Sequence, residues 1–176
     1  MPPTSYAIAL GSNRRHGRHG SPAAVVRAAM DSLATIGSVE GASRVRATPA
    51  LGPAGRGFAN AVVLLTTDLM PDELLGELKR IERRFGRRGG RRWGPRVLDL
   101  DIILWSEGFW GGPGPTIPHP EMRRRHFVLE PLAEVAGEWR DPLGGASVRH
   151  LLYRLAKPAP VDPDPGPSYG ANRSGP

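Results

Sequence analysis

The chain of 176 residues contains no cysteine, only two lysines and no long apolar run. The first absence excludes disulfides, thiolate metal sites and a cysteine nucleophile, so any catalysis must use oxygen or nitrogen groups. A membrane span needs roughly 18 consecutive apolar residues, and no stretch approaches that length. The opening "MPPTSYAIALGSN" lacks a basic leader followed by an apolar segment and a cleavage site, which makes the cytoplasm the expected location. Of the 24 basic residues only Lys79 and Lys157 are lysine, and 17 acidic residues leave a net charge of +7. Arginine favours planar, bidentate partners, phosphates foremost. A coding bias that places arginine on a solvated surface gives the same composition, and only clustering separates the two.

The length and a hydrophobic content of 39% suit one domain with a real core. "SYAIAL" (5–10) reads as a strand ending in "GSN". A helix then opens at Ser21 and Pro22 and carries a stripe of Val25, Val26, Ala29, Met30, Leu33 and Ile36 to a stop at Gly37. Residues 39–48 read as a second strand and 58–67 as a third. The next helix opens at Pro71 and repeats Leu74, Leu78, Ile81 and Phe85 at helical spacing before Gly86. "VLDLDIILW" follows as a strand. The order strand, helix, strand, strand, helix, strand predicts an α+β fold with a ferredoxin-like βαββαβ core. Added helices near 130–136 and 147–156 would extend it to three α/β/α layers. Residues 1–156 form the expected domain, and the proline- and glycine-rich 157–176 an expected disordered tail.

Asp99 and Asp101 stand in the middle of that last strand. Alternation sends both to one face, about 7 Å apart, and Leu98, Leu100, Ile102 and Leu104 to the other. Two carboxylates beside a core are costly unless something positive joins them or they lie at an open end of the sheet. A hard divalent cation, which takes oxygen ligands and brings phosphates, meets the need. An ion network with neighbouring arginines meets it too. Just upstream, "GRRGGRRWGPR" (86–96) packs five arginines between glycines, an arrangement that repels itself unless an anion joins it, and Trp93 offers a flat surface that could close over a ring. Asn60 in an otherwise apolar strand also needs partners. Phe127 has a plain reading as a core residue and His119 as a surface histidine.

Together "RWGPRVLDLDII", "ALGSN", "FANAVV", "TIPHPEM" and "FVLEPLAEVA" resemble the hydroxymethyldihydropterin pyrophosphokinase family of folate biosynthesis. The resemblance implies transfer of pyrophosphate from ATP to a pterin alcohol, with two magnesium ions held by Asp99 and Asp101. It implies that Arg87 and Arg96 hold the ATP phosphates and act in catalysis, with Arg88, Trp93, Thr116, His119 and Arg125 also at the nucleotide. Thr48, Pro49, Leu51, Phe58, Asn60, Trp93 and Phe127 are implied at the pterin, while Glu82 matches a family acid without an assigned role. These types suit a flat polar heterocycle, which wants aromatic faces and an amide at its edge. The implied partners are the two small-molecule substrates, with no nucleic acid and no membrane, and a monomer is favoured over a dimer. The chain departs from the family in "GGPGP" before Thr116, where many members carry a basic residue, and in the basic "RRHGRHGSP" after "GSN".

Two other classes compete. An RNA-binding module could use a ferredoxin-like sheet with a positive surface, but no strand carries the aromatic pattern of such readers. A sugar-nucleotide transferase could use Asp-x-Asp with a metal, but the doubly wound nucleotide half is missing.

Overall fold

The computed structural model describes residues 2–48, 57–86 and 97–157. Pro49, Leu51, Arg87, Arg88, Trp93, Arg96 and the tail from residue 158 onward therefore lie outside the described residues. The elements run β1 (Thr4–Ser12), α1 (Pro22–Leu33), β2 (Ser38–Ala42), β3 (Arg46–Thr48), β4 (Phe58–Thr67), α2 (Pro71–Arg84), β5 (Asp99–Trp105), α3 (His126–Ala136) and α4 (Val148–Ala156). A single 3-10 turn, Met122–Arg124, precedes α3. No helix among the described residues is long and apolar enough to cross a membrane.

The sheet order is β2-β4-β1-β5, with β3 also on β4, and every pairing is antiparallel. This is the strand order that a ferredoxin-like βαββαβ chain produces. One face buries Tyr6, Ile8 and Leu10 of β1 with Val63 and Leu65 of β4 against α1 and α2. The other buries Ala7, Val62 and Ile103 against α3 and α4, completing three layers.

Local chemistry explains where the chain turns. Ser21 Oγ accepts the Ala24 N–H at 3.3 Å, and Pro22 follows at the first helical position. α1 ends at Leu33, a turn earlier than the stripe to Ile36 suggests. Ile36 N still donates to Leu33 O at 3.0 Å, and the chain then passes so close to β4 that a Cβ on Gly37 would stand 2.5 Å from the Thr66 carbonyl. Residues 39–48 form two strands rather than one. At the break Ser43 N donates to Val62 O, while the Ser43 hydroxyl, in place of a backbone carbonyl, accepts the Val62 N–H at 2.9 Å. α3 begins at His126, earlier than expected, so Pro131 lies inside the helix rather than in its first turn.

β5 departs from simple alternation. Ile8 pairs with Ile102 but Ala7 with Leu104, so Ile103 is an extra residue that shifts the register. Leu98, Leu100 and Ile102 share the α1/α2 face as expected, but beyond the bulge Leu104 turns to the α3/α4 face. Trp105 turns back to stack on Tyr6, rings 5.8 Å apart, and its Nε1 donates to Thr4 Oγ1.

Candidate functional site

The antiparallel register sets side chains of the α3-facing surface in rows across the sheet. Asp99, Gly11, Asn60 and Arg46 stand in one row on β5, β1, β4 and β3, and Asp101, Ala9 and Val62 in the next. Gly11, having no side chain, leaves a floor between a carboxylate and an amide. A Cβ there would lie 3.4 Å from Asn60 Oδ1.

Above this floor is a cavity of about 580 Å³. Its lining comes from β1 (Ala9 to Ser12) and Asn13, from β4 (Phe58, Asn60, Ala61), from β5 (Asp99, Asp101, Ile103) and from Arg125, Phe127 and Val128 at the start of α3. Phe58 and Phe127 are 50% and 51% exposed, and both open part of their rings to the cavity. Phe127 is thus not a core residue; Val128, Leu129 and Leu132 of the same helix fill the core instead. Asn60, Asp99, Asp101 and Arg125 are half-buried.

The two arginines near the cavity differ. Arg46 is bound to α3, with one guanidinium nitrogen 3.2 Å from Glu130 and another 2.5 Å from Glu134. Burial tends to raise the Glu134 pKa, but the Arg44 amide and the Arg46 side chain outweigh it and hold the carboxyl below its ordinary range. Arg125 makes no ion pair among the described residues and lies 5.9 Å from the Phe127 ring centre, leaving its charge for an anion.

His119 belongs to the segment that follows the cis Ile117–Pro118 bond. Its backbone N–H donates to Ile103 O at 3.0 Å, fastening the segment to β5. Its Nδ1 accepts the Glu121 N–H at 3.1 Å, so in the neutral ring the proton sits on Nε2. Burial lowers its pKa from the ordinary histidine value; Arg125 adds to this, and Asp101 and Glu121 oppose it. His119 does not line the cavity, though it senses the charges of Asp101 and Arg125. Thr116, exposed three residues earlier, does not line it either. Thr48 is placed by its strand, where it pairs in register with Phe58.

The sequence reading therefore put Phe58, Asn60, Asp99, Asp101, Arg125 and Phe127 where one cavity now gathers them. It missed Gly11 as the floor, although the "ALGSN" motif contained it. It also left Glu82 without a task, and Glu82 proves to be a buried carboxylate on α2 whose Oε1 accepts the Leu100 N–H at 2.9 Å.

The donors suit magnesium. Two carboxylates on one strand face offer hard oxygen ligands, and magnesium is ordinarily held by one or two carboxylates with water and phosphate completing its shell. Among the described residues no group of three or more His, Cys, Asp or Glu side chains could hold a metal.

The sequence profile of the 7,8-dihydro-6-hydroxymethylpterin-pyrophosphokinase (HPPK) family matches residues 7–137. This chain belongs to the HPPK family. Among similar proteins, a 2-amino-4-hydroxy-6-hydroxymethyldihydropteridine pyrophosphokinase of Synechocystis is 40% identical over 123 residues, 70% of this chain and 63% of that protein. A Pseudomonas aeruginosa protein of the same name is 40% identical over 152 residues, 85% of this chain and 88% of its own. Among solved structures, Plasmodium falciparum HPPK-DHPS matches 86% of this chain with a TM-score of 0.66 at 12% identity. This chain spans 41% of that protein, and the likeness speaks to the HPPK fold alone.

Proposed function

We propose that this chain transfers pyrophosphate from ATP to the 6-hydroxymethyl group of 6-hydroxymethyl-7,8-dihydropterin, giving the pterin diphosphate and AMP in folate biosynthesis. The observation that carries this reading is the single cross-strand row in which Asp99 and Asn60 flank Gly11. On this reading Asp99 offers a ligand for a cation beside the Asn60 amide that takes the edge of a flat heterocycle, and the cavity has a size that suits a small-molecule site.

The Asn60 amide, able both to donate and to accept, reads the edge of the pterin, while Phe58 and Phe127 contact its ring. So placed, the hydroxymethyl oxygen points toward the Asp99 and Asp101 end of the cavity. That oxygen attacks the β-phosphorus in line, the bond from β-phosphorus to the bridging oxygen breaks, and AMP leaves with the electron pair. The hydroxyl proton passes to water. Asp99 and Asp101 would hold two magnesium ions, which offset phosphate charge and polarise the reacting oxygens. Arg125 supplies a guanidinium for the phosphates, and neutral His119 can donate Nε2–H to a phosphate oxygen. The same reading, by resemblance, gives Arg87, Arg88, Arg96 and Thr116 to the nucleotide, Thr48, Pro49 and Leu51 to the pterin, and Trp93 to both. It places residues 1–156 as one catalytic domain, working as a cytoplasmic monomer.

Incubation with ATP, magnesium and the pterin alcohol should yield AMP and pterin diphosphate in equal amounts. Asp99→Asn and Asp101→Asn should each lose about 3 kcal/mol or more of transition-state stabilisation, roughly a hundredfold in rate. Near-normal AMP formation by either folded variant rules out the metal assignment.

A further inference from the structure

The Glu82 side chain is 2% exposed, and its Oε1 carries two bonds, one from Lys79 Nζ at 2.6 Å and one from the Leu100 backbone N–H at 2.9 Å. Lys79, one of only two lysines in the chain, supplies a compact countercharge from the helical turn below. A buried ion pair is a poor way to hold a helix on a strand, since apolar residues of similar volume serve packing as well or better. The position of the bond gives it a different meaning. Leu100 is the residue between Asp99 and Asp101, and the N–H that Glu82 takes belongs to the peptide joining Asp99 to Leu100.

Among the described strands β5 is the edge, with β1 on its inner side. In an antiparallel ladder the residues whose backbone groups turn inward alternate with those that turn outward. Because the Leu100 N–H points outward to Glu82, its neighbours Asp99 and Asp101 are the residues that bond inward, opposite Gly11 and Ala9. Further along the same outer edge, the Ile103 carbonyl accepts the His119 N–H. The Asp-x-Asp segment is thus held by β1 inside and by the Glu82 bond outside, with a second outer bond two residues beyond it at Ile103.

We infer that Glu82 is a positioning residue for the metal site: its bond to Leu100 N–H fixes the backbone between the two aspartates and so sets the spacing of their carboxylates. This rests on the reading of Asp99 and Asp101 as metal ligands. Groups that orient ligands in this way typically contribute 10- to 100-fold to metal affinity.

The test is Mn2+ binding by electron paramagnetic resonance, using the full chain with α,β-methylene-ATP, so that no turnover is needed. Glu82→Leu fills the space and removes the acceptor; Mn2+ affinity should fall by about tenfold or more, while the affinity for a pterin analogue without nucleotide should hold within twofold or so. Glu82→Gln keeps an acceptor oxygen and should bind Mn2+ within about threefold of the original chain. Should Glu82→Leu fail to fold, Glu82→Gln decides alone, and a tenfold loss there means that Glu82 acts through its charge and overturns the inference. Asp99→Asn and Asp101→Asn are measured beside them. Unchanged Mn2+ binding in both removes the metal site and the inference with it. Loss in those two, with unchanged binding in folded Glu82→Leu, removes the positioning role alone.

Discussion

Replacing Gly11 by alanine should separate folding from binding. Gly11 lies within β1, paired on both sides, and its φ is not in the left-handed region, so alanine can take the same backbone conformation. Glycine in a strand interior costs the folded state entropy, and Gly→Ala at a compatible site stabilises by about 0.4–1 kcal/mol through the unfolded chain. Among the described residues the new methyl meets only Asn60 Oδ1, at 3.4 Å, within ordinary contact distance or slightly inside it. The fold should therefore gain rather than lose stability. Binding should suffer. The methyl rises from the floor between Asp99 and Asn60, where the proposed pterin ring must lie to reach the amide. Overfilling a well-packed contact costs about 1–3 kcal/mol, which weakens binding by roughly 5- to 150-fold. The assay pairs urea denaturation with calorimetric titration of an unreactive pterin analogue in the presence of α,β-methylene-ATP and magnesium. A variant that is more stable yet binds the analogue at the original affinity would show that the ring does not rest on β1, and the placement of the pterin would fall.

Two further outcomes concern titratable groups with shifted pKa values. Asp141, 1% exposed, accepts two hydrogen bonds at 2.6 Å from Arg123 and one from the Leu143 N–H; burial tends to raise its pKa, but these bonds prevail and lower it. Its contribution is present above the unfolded carboxylate value and is lost as pH falls through the lower folded one. Asp141→Asn should cost about 3 kcal/mol in urea denaturation near neutral pH, the lower end for a broken buried pair because Arg123 keeps a third of its side chain exposed; a cost below about 1 kcal/mol contradicts the assignment. His119 has a folded pKa below its ordinary value, so the unfolded chain binds its proton first, and stability present above about pH 6.5 is lost as pH falls toward the folded value. The stability difference between the original chain and His119→Gln should accordingly be larger at pH 7 than at pH 5, and a difference independent of pH would count against a half-buried, neutral imidazole.

The parts of the fold legible in the sequence are those where local pattern and tertiary packing agree. α2 is the clearest case: Leu74, Leu78 and Ile81 recur at helical spacing and all three are buried. Two misread strands are those where an irregularity interrupts the regular ladder. The Ser43 hydroxyl takes the Val62 N–H and divides a continuous β pattern in two. The bulge at Ile103 reverses the face of Leu104, and period-two alternation cannot register an added residue among four consecutive apolar ones. The site shows the same division. Asp99, Asp101 and Asn60 were conspicuous because they are polar within apolar strands. Gly11 was not, because its contribution is the space that a missing side chain leaves. Glu82 was matched to a family acid but given no role, since nothing in helical periodicity tells a solvated glutamate from one that reaches a strand edge.

The sequence left three ways to tolerate two aspartates beside a nonpolar interior: a cation, an arginine network, or an open end of the sheet. The structure gives the third a direct physical basis. β5 enters the sheet at Asp99, both carboxylates are half-buried at the cavity, and the fully buried run begins only at Ile102. A group that keeps part of its hydration avoids most of the desolvation cost that a deep carboxylate would carry. The exposure that both carboxylates keep lowers the cost of forming this strand, and on the proposed function a cation there serves the polyphosphate rather than the fold. This also accounts for the bulge lying just beyond the pair. Before Ile103 the α3-facing positions of β5 are polar and serve the cavity; after it Leu104 turns to that face and closes the core behind the site. One added residue thus marks the boundary between the part of the strand that faces ligand and the part that holds the protein together.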